Sequence, residues 1–130
     1  MPNTFIQAHW HVVFAVKYRR ALIQASWKER LHQYMIGIIH NHSHRVLALN
    51  SMPDHVHILF GYNTNQTLPD LMLHVKRDST LWINKNRLTK ERFAWQEGYG
   101  GFAVCKGHLS PVIAYILNQE QHHRAQSFPQ

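Results

Sequence analysis

Two imidazoles one residue apart, with a phenol and a carboxamide on a later segment, are the groups in this sequence best suited to chemistry. The stretch MPDHVHILF, residues 52–60, sets His55 and His57 inside an apolar run. Side chains alternate along a strand, so the two histidines share one face while Val56, Ile58 and Phe60 take the other. Paired imidazoles on one face can hold a divalent cation. A His-x-His triplet is weak evidence alone: the chain has twelve histidines, and HWH at 9–11 is a second case. Two polar residues on a solvated sheet face is the plain alternative.

The segment SPVIAYILNQEQHH, from Ser110, supplies partners. At helical spacing Ile113, Ile116 and Leu117 form an apolar stripe. Tyr115, Gln119 and His122 fall on a different face, at intervals of four and three. If that face meets the histidine face, Tyr115 and Gln119 arrive together at His55 and His57. Two imidazoles and a carboxamide are all neutral donors, so a bound cation keeps its full double charge. That suits a Lewis acid opposite a phosphodiester. A tyrosine hydroxyl nearby is a nucleophile for phosphorus. Its ordinary pKa is about 10, so it must shed a proton to attack; His122 is the candidate base. Alternation points Asp54 away from the histidine face, which makes it a turn residue.

These groups need a scaffold. FIQAHWHVVFAV (5–16) alternates as a strand, with Trp10, Val12, Phe14 and Val16 on one face and His9, His11 and Val13 on the other. A basic turn, Lys17 to Arg20, follows. Ser26 and Glu29 have capping-box spacing ahead of a helix whose stripe is Trp27, Leu31, Tyr34, Ile38 and Ile39. RVLALNS and HVHILF form a hairpin across MPD. Thr67 and Asp70 open a second helix that turns Leu68, Leu71, Val75 and Trp82 inward. FAW and FAV bracket a glycine-rich loop as short strands. Ser110 and Pro111 suit the N-cap and first turn of a last helix reaching about Arg124. The order β-α-β-β-α-β plus a C-terminal helix is the ferredoxin-like arrangement, an α+β sandwich with an antiparallel sheet. It places the first and third strands side by side at the centre. One domain is expected over 1–130, with its core at about 4–106 and the final helix at about 110–124.

Composition narrows the class. The chain is 45% hydrophobic and 16% charged, which argues against disorder. No apolar run approaches the roughly 20 residues of a membrane helix, and the N-terminal stretch lacks the pattern of a signal peptide. One cysteine, Cys105, allows no internal disulfide. A cytoplasmic protein, nucleoid-associated when bound to DNA, is expected. The net charge of +7 favours a polyanionic partner, above all nucleic acid. Lys17, Arg19, Arg20, Lys76, Arg77, Lys85 and Arg87 are candidates for backbone phosphates. Tyr18, Tyr62 and Trp95 could stack on bases, with core packing the stronger reading for Trp95.

HWHVVFAVKYRR, MPDHVHILF and AWQEGYGGFAVCKGHLSPVIAYILNQEQHH together resemble the small single-tyrosine transposases of bacterial insertion sequences, members of the HUH nuclease superfamily. The resemblance runs over nearly the whole chain. The combination of His-Val-His, YGGF and Tyr-x-x-x-Gln before His-His is what makes it specific. It implies His55, His57 and Gln119 as metal ligands, Tyr115 as nucleophile, and magnesium or manganese as the metal. His11 is expected close by, as an auxiliary residue like His122. The implied activity is cleavage and rejoining of single-stranded DNA at element ends through a 5′-phosphotyrosine. Implied partners are hairpin-bearing single strands and a second copy of the chain, in a homodimer whose tyrosine helix can serve the other subunit. No membrane is implied. Two alternatives stay open: a non-catalytic or domesticated nucleic-acid-binding domain of the same fold, and a related relaxase or endonuclease.

Overall fold

The structure, a computed structural model, describes residues 8–63 and 65–119. Its strands are β1 (Ala8–Ala15), β2 (Arg45–Met52), β3 (His55–Tyr62) and β4 (Gly100–Ala103); its helices are α1 (Ala25–Asn41), α2 (Leu68–Lys85) and α3 (Leu109–Leu117). The sheet runs β2-β3-β1-β4, with every pairing antiparallel. β1 and β3 therefore lie at the centre, the α+β order expected from the sequence.

Alternation makes the sheet two-faced. Val12, Phe14, Val16, Val56, Ile58 and Phe60 point to one side and join Trp27, Leu31, Met35, Ile39, Leu71, Val75 and Ile83 in the main core. Burying side chains of this size is the dominant favourable contribution to such a fold. The opposite face carries the histidines, and α3 lies on it. A bulge in β2 between Val46 and Ala48 shifts the register, so that Ala48 faces Leu59 rather than Ile58. Ala48 thereby sits under α3.

Several local expectations are corrected. α1 starts at Ala25, and its N-cap is an extended Gln24 with no side-chain cap, two residues before the expected cap at Ser26. Tyr34 is not in the core stripe; it stacks on Trp82 at 5.1 Å outside it, and Met35 and His32 are buried instead. Leu68 and Trp82 are only partly buried, and Met72, Ser79 and Ile83 complete the inner face of α2. Thr67 does cap α2, its Oγ1 accepting from the Asp70 amide at 3.2 Å. The Asp70 carboxylate accepts from Gln66 and does not return to the cap. FAW is not a strand: Trp95 makes a single bridge to Val16, and β4 is the GGFA stretch. α3 begins at Leu109 after a 3-10 turn (Lys106–His108), one residue before the expected cap, with no side-chain cap. α3 ends at Leu117 with Asn118 as its C-cap, short of the expected run to about Arg124, whose last stretch, 120–124, lies outside the described residues.

Candidate active site

β3 presents His55 and His57 on the face under α3, both buried. Val13 of β1 and Asn50 of β2 flank His57; Ala15 and Met52 flank His55. The imidazole centroids are 5.0 Å apart with planes at 71°.

Each imidazole is oriented by a neighbour. His11 pairs with Leu59, which sets it diagonally beside His57, and its Nε2 lies 2.9 Å from His57 Nδ1. Burial pushes the His11 pKa down, so this ring favours the neutral form. His55 Nδ1 donates to Asp54 Oδ1 at 2.6 Å. The Asp54 carboxylate in turn lies 3.4 Å from Arg19 Nε. Partial burial would raise the Asp54 pKa, but the His55 hydrogen bond, the His55 charge and the Arg19 charge outweigh it and hold the group below its ordinary 3.8. Asp54 is therefore a correction to the sequence reading: it reaches the site as a partner of His55.

The backbone explains how. Strand alternation starts only at His55, because Pro53 and Asp54 are in the turn. That turn is tied to the chain leaving β1: Val16 N donates to Asp54 O at 2.8 Å and Ile23 N to Pro53 O at 2.9 Å. Arg19 sits in a 3-10 turn (Lys17–Arg19) where Tyr18 and Arg19 take φ of 60° and 55°. This region is sparsely populated by residues other than glycine.

α3 brings the phenol. Ile116 is fully buried against Ala48 and Leu59, with Leu47, Val104, Leu109, Val112 and Ile113 around them. Asn50 Nδ2 donates to the carbonyls of Ile116 at 2.9 Å and Leu117 at 3.4 Å, satisfying acceptors that a helix end leaves open. Tyr115 consequently stands over the histidines, its ring 5.8 Å from that of His57 and 6.3 Å from that of His11. It is 39% exposed, so a long substrate can reach it. One turn on, Gln119 is buried to 2% exposure, and its Nε2 donates to the Tyr115 carbonyl at 3.0 Å.

The residues suit a divalent cation. With Nδ1 of His55 and of His57 engaged by Asp54 and His11, Nε2 is the nitrogen each would offer, and such partners fix ring orientation. The Gln119 nitrogen is committed to its own helix, which leaves the carboxamide oxygen as its donor atom. Among the described residues no three His, Cys, Asp or Glu side chains gather as a metal cluster.

The remaining candidates scatter. His122 lies outside the described residues. Arg20 pairs with Glu91, and Arg77 with His74 and Asp78. Lys76 donates to the carbonyls of Gln96 at 2.7 Å and Gly98 at 2.9 Å, pinning the loop before β4. Lys17, Lys85 and Arg87 are exposed. Trp95 is core, its Nε1 donating to Ser79. Tyr62 stacks on His44 at 5.4 Å, and Tyr18 is exposed.

A sheet with a histidine face covered by a tyrosine-bearing helix, on a basic chain, fits an enzyme of nucleic-acid strands. The chain belongs to the IS200-like transposase family, whose model matches residues 4–119. It is 24% identical over 118 residues to the ISDra2 transposase TnpA of Deinococcus radiodurans, covering 87% of this chain and 84% of that protein. A crystal structure of a Deinococcus radiodurans protein assigned as a transposase superposes with a TM-score of 0.71 at 22% identity, over 92% of this chain and 95% of the other. A REP-associated tyrosine transposase bound to a REP hairpin superposes at 0.69 with 14% identity, over 95% of this chain and 73% of that one. The protein is thus a transposase of this family, with a DNA-directed role.

Proposed function

We propose that this transposase cuts and rejoins single-stranded DNA at insertion-sequence ends, with Tyr115 as the nucleophile and a divalent metal, magnesium or manganese, held by His55, His57 and Gln119. The observation that carries the reading is the Tyr115 ring 5.8 Å from His57 within one chain, beside histidines oriented by Asp54 and His11. When bound, the cation would act as a Lewis acid on the phosphodiester.

The steps of the chain's own groups balance. The Tyr115 oxygen gives up its proton and bonds to phosphorus while the bond from phosphorus to the 3′ oxygen breaks. That oxygen leaves as a 3′-hydroxyl, and the 5′ end stays on the tyrosine. A 3′-hydroxyl from another strand end then attacks phosphorus and expels the tyrosine oxygen, which recovers a proton. One phosphodiester is exchanged for another, so no external energy source is needed. A hairpin near the element's end, of the kind bound by the REP-associated relative, is the expected recognition feature. A homodimer is the expected active form, with α3 serving either the histidines of its own chain or those of the second copy.

A hairpin-bearing single strand from the DNA flanking the gene, incubated with magnesium or manganese, tests this on denaturing gels. The parent chain should form a protein-linked 5′ end. Tyr115→Phe should bind the same strand and form none. Adduct persisting in Tyr115→Phe would remove Tyr115 from the role, and unlinked products from the parent would point to hydrolysis.

A further inference from the structure

Some of the cations are held by partners within the chain and others are not. Arg19, Arg20, Lys76 and Arg77 are engaged within the chain. Arg45 and Lys106 are exposed, and the described residues give their side chains no hydrogen-bond or ionic partner. Yet these two converge on one cavity of about 410 Å³, lined also by His9, Ser43, Gly61 and Asn63. Among the described residues no acidic side chain lines it. Its size falls in the roughly 300–1,000 Å³ of ligand-sized sites.

The cavity belongs to the same sheet face as the histidine pair. His9 pairs with Gly61, and Gly61 lies four residues after His57 on β3. At about 3.4 Å per residue, the two places are about 14 Å apart along one strand. Lys106 stands in the 3-10 turn that leads into α3. The cavity thus lies toward the start of α3, and Tyr115 toward its end. A Cβ at Gly61 would meet the His9 ring at an ordinary 3.8 Å, so the two residues lie side by side on the floor. His9 adds an unmet need, because its Nδ1 is buried and has no hydrogen-bond partner among the described residues. On the Gly61 side the ring presents both Cδ2 and Nε2, each 3.8 Å from where a Cβ on that glycine would stand.

We propose that this cavity is a nucleotide subsite for the substrate strand: Arg45 and Lys106 hold a backbone phosphate, and the His9 ring supplies a hydrogen bond to the same nucleotide, about 14 Å along the strand from His57. The inference rests on the reading of the chain as an enzyme of single-stranded DNA, and it gives that strand a direction across the sheet face. Two unpaired cations and an unsatisfied imidazole with no carboxylate among them match a phosphodiester.

The test is fluorescence anisotropy of a labelled oligothymidylate of about 16 nucleotides, a length that spans typical single-strand sites, with the full chain over a range of salt. Removing one phosphate-binding cation should flatten the dependence of log affinity on log salt by about 0.7. Arg45→Ala with Lys106→Ala should therefore flatten it by about 1.4 and weaken binding about 25-fold near 0.1 M salt. Arg30→Ala with Lys90→Ala, which removes the same charge away from the cavity, should do clearly less. His9→Ala should weaken binding while leaving the slope largely unchanged. Equal effects in the two double variants, or full affinity in the Arg45/Lys106 pair, would overturn the subsite and leave the single-strand reading standing. Absence of binding by the parent chain would overturn both.

Discussion

Replacing Asp54 by Asn tests the idea that the histidine pair is set up by its neighbours. The Asp54 carboxylate accepts from His55 Nδ1 at 2.6 Å and faces Arg19. An Asn side chain keeps an acceptor oxygen but loses the negative charge that polarises the imidazole. Losing such an outer partner typically lowers metal affinity 10- to 100-fold, about 1.4–2.7 kcal/mol. Asp54 is 28% exposed in its side chain, so water already screens part of its charge. That places Asp54→Asn near the tenfold end. Asp54→Ala also removes the acceptor and belongs nearer the hundredfold end. Arg19→Ala leaves the Asp54–His55 bond in place and should cost less than either. The assay is titration of the full chain with manganese, following free Mn²⁺ by electron paramagnetic resonance, so that binding is read without DNA or turnover. If both Asp54 variants bind manganese as the parent does, the orienting role is wrong.

Other perturbations probe the helix, the core and the assembly. Ile116→Ala empties the buried contact with Ala48 and Leu59 and should destabilise the fold by about 2–4 kcal/mol, read by denaturant unfolding. Asn50→Ala removes the donor to the end of α3, at about 1 kcal/mol, and should slow adduct formation more than it weakens DNA binding. His32 is buried with its ring nitrogen 2.7 Å from Ser51 Oγ; burial, partly offset by Glu29, pushes its pKa from 6.5 down to about 4. The unfolded chain therefore takes up a proton near 6.5 that the folded chain refuses until about 4. Stability should be full above that window and fall as pH drops through it, and His32→Gln should flatten the fall in melting temperature. Mixing Tyr115→Phe with His57→Ala chains should restore adduct only if α3 serves the second copy; no adduct in the mixture would assign the site to one chain.

The sheet order and its two faces were readable because alternation in FIQAHWHVVFAV and HVHILF is strict, and each strand needs only one apolar face. The alignment of Tyr115 with Gln119 followed from helical spacing alone. Asp54 was not readable, because alternation says nothing about a turn and the partner in question, Arg19, depends on a distant backbone kink. Ser26 and Ser110 look like caps, yet tertiary packing starts both helices earlier, at Ala25 and Leu109. Tyr34 falls on the stripe by period, but its large ring meets Trp82 outside the core. FAW has strand composition, yet Trp95 is held by packing and by its bond to Ser79. Arg45 and Lys106 stood apart in sequence and carried no local signal; only the hairpin end and the turn before α3 bring them to one place.

β3 has consequences beyond positioning. It is paired on both sides and buried along most of its length, and a slip of one residue would exchange its faces. His55 and His57 would then enter the oily interior, and Ile58 would take their place on the face under α3. A chain with a mispaired sheet would thus be chemically silent. For a transposase, correct folding would act as its own safety catch.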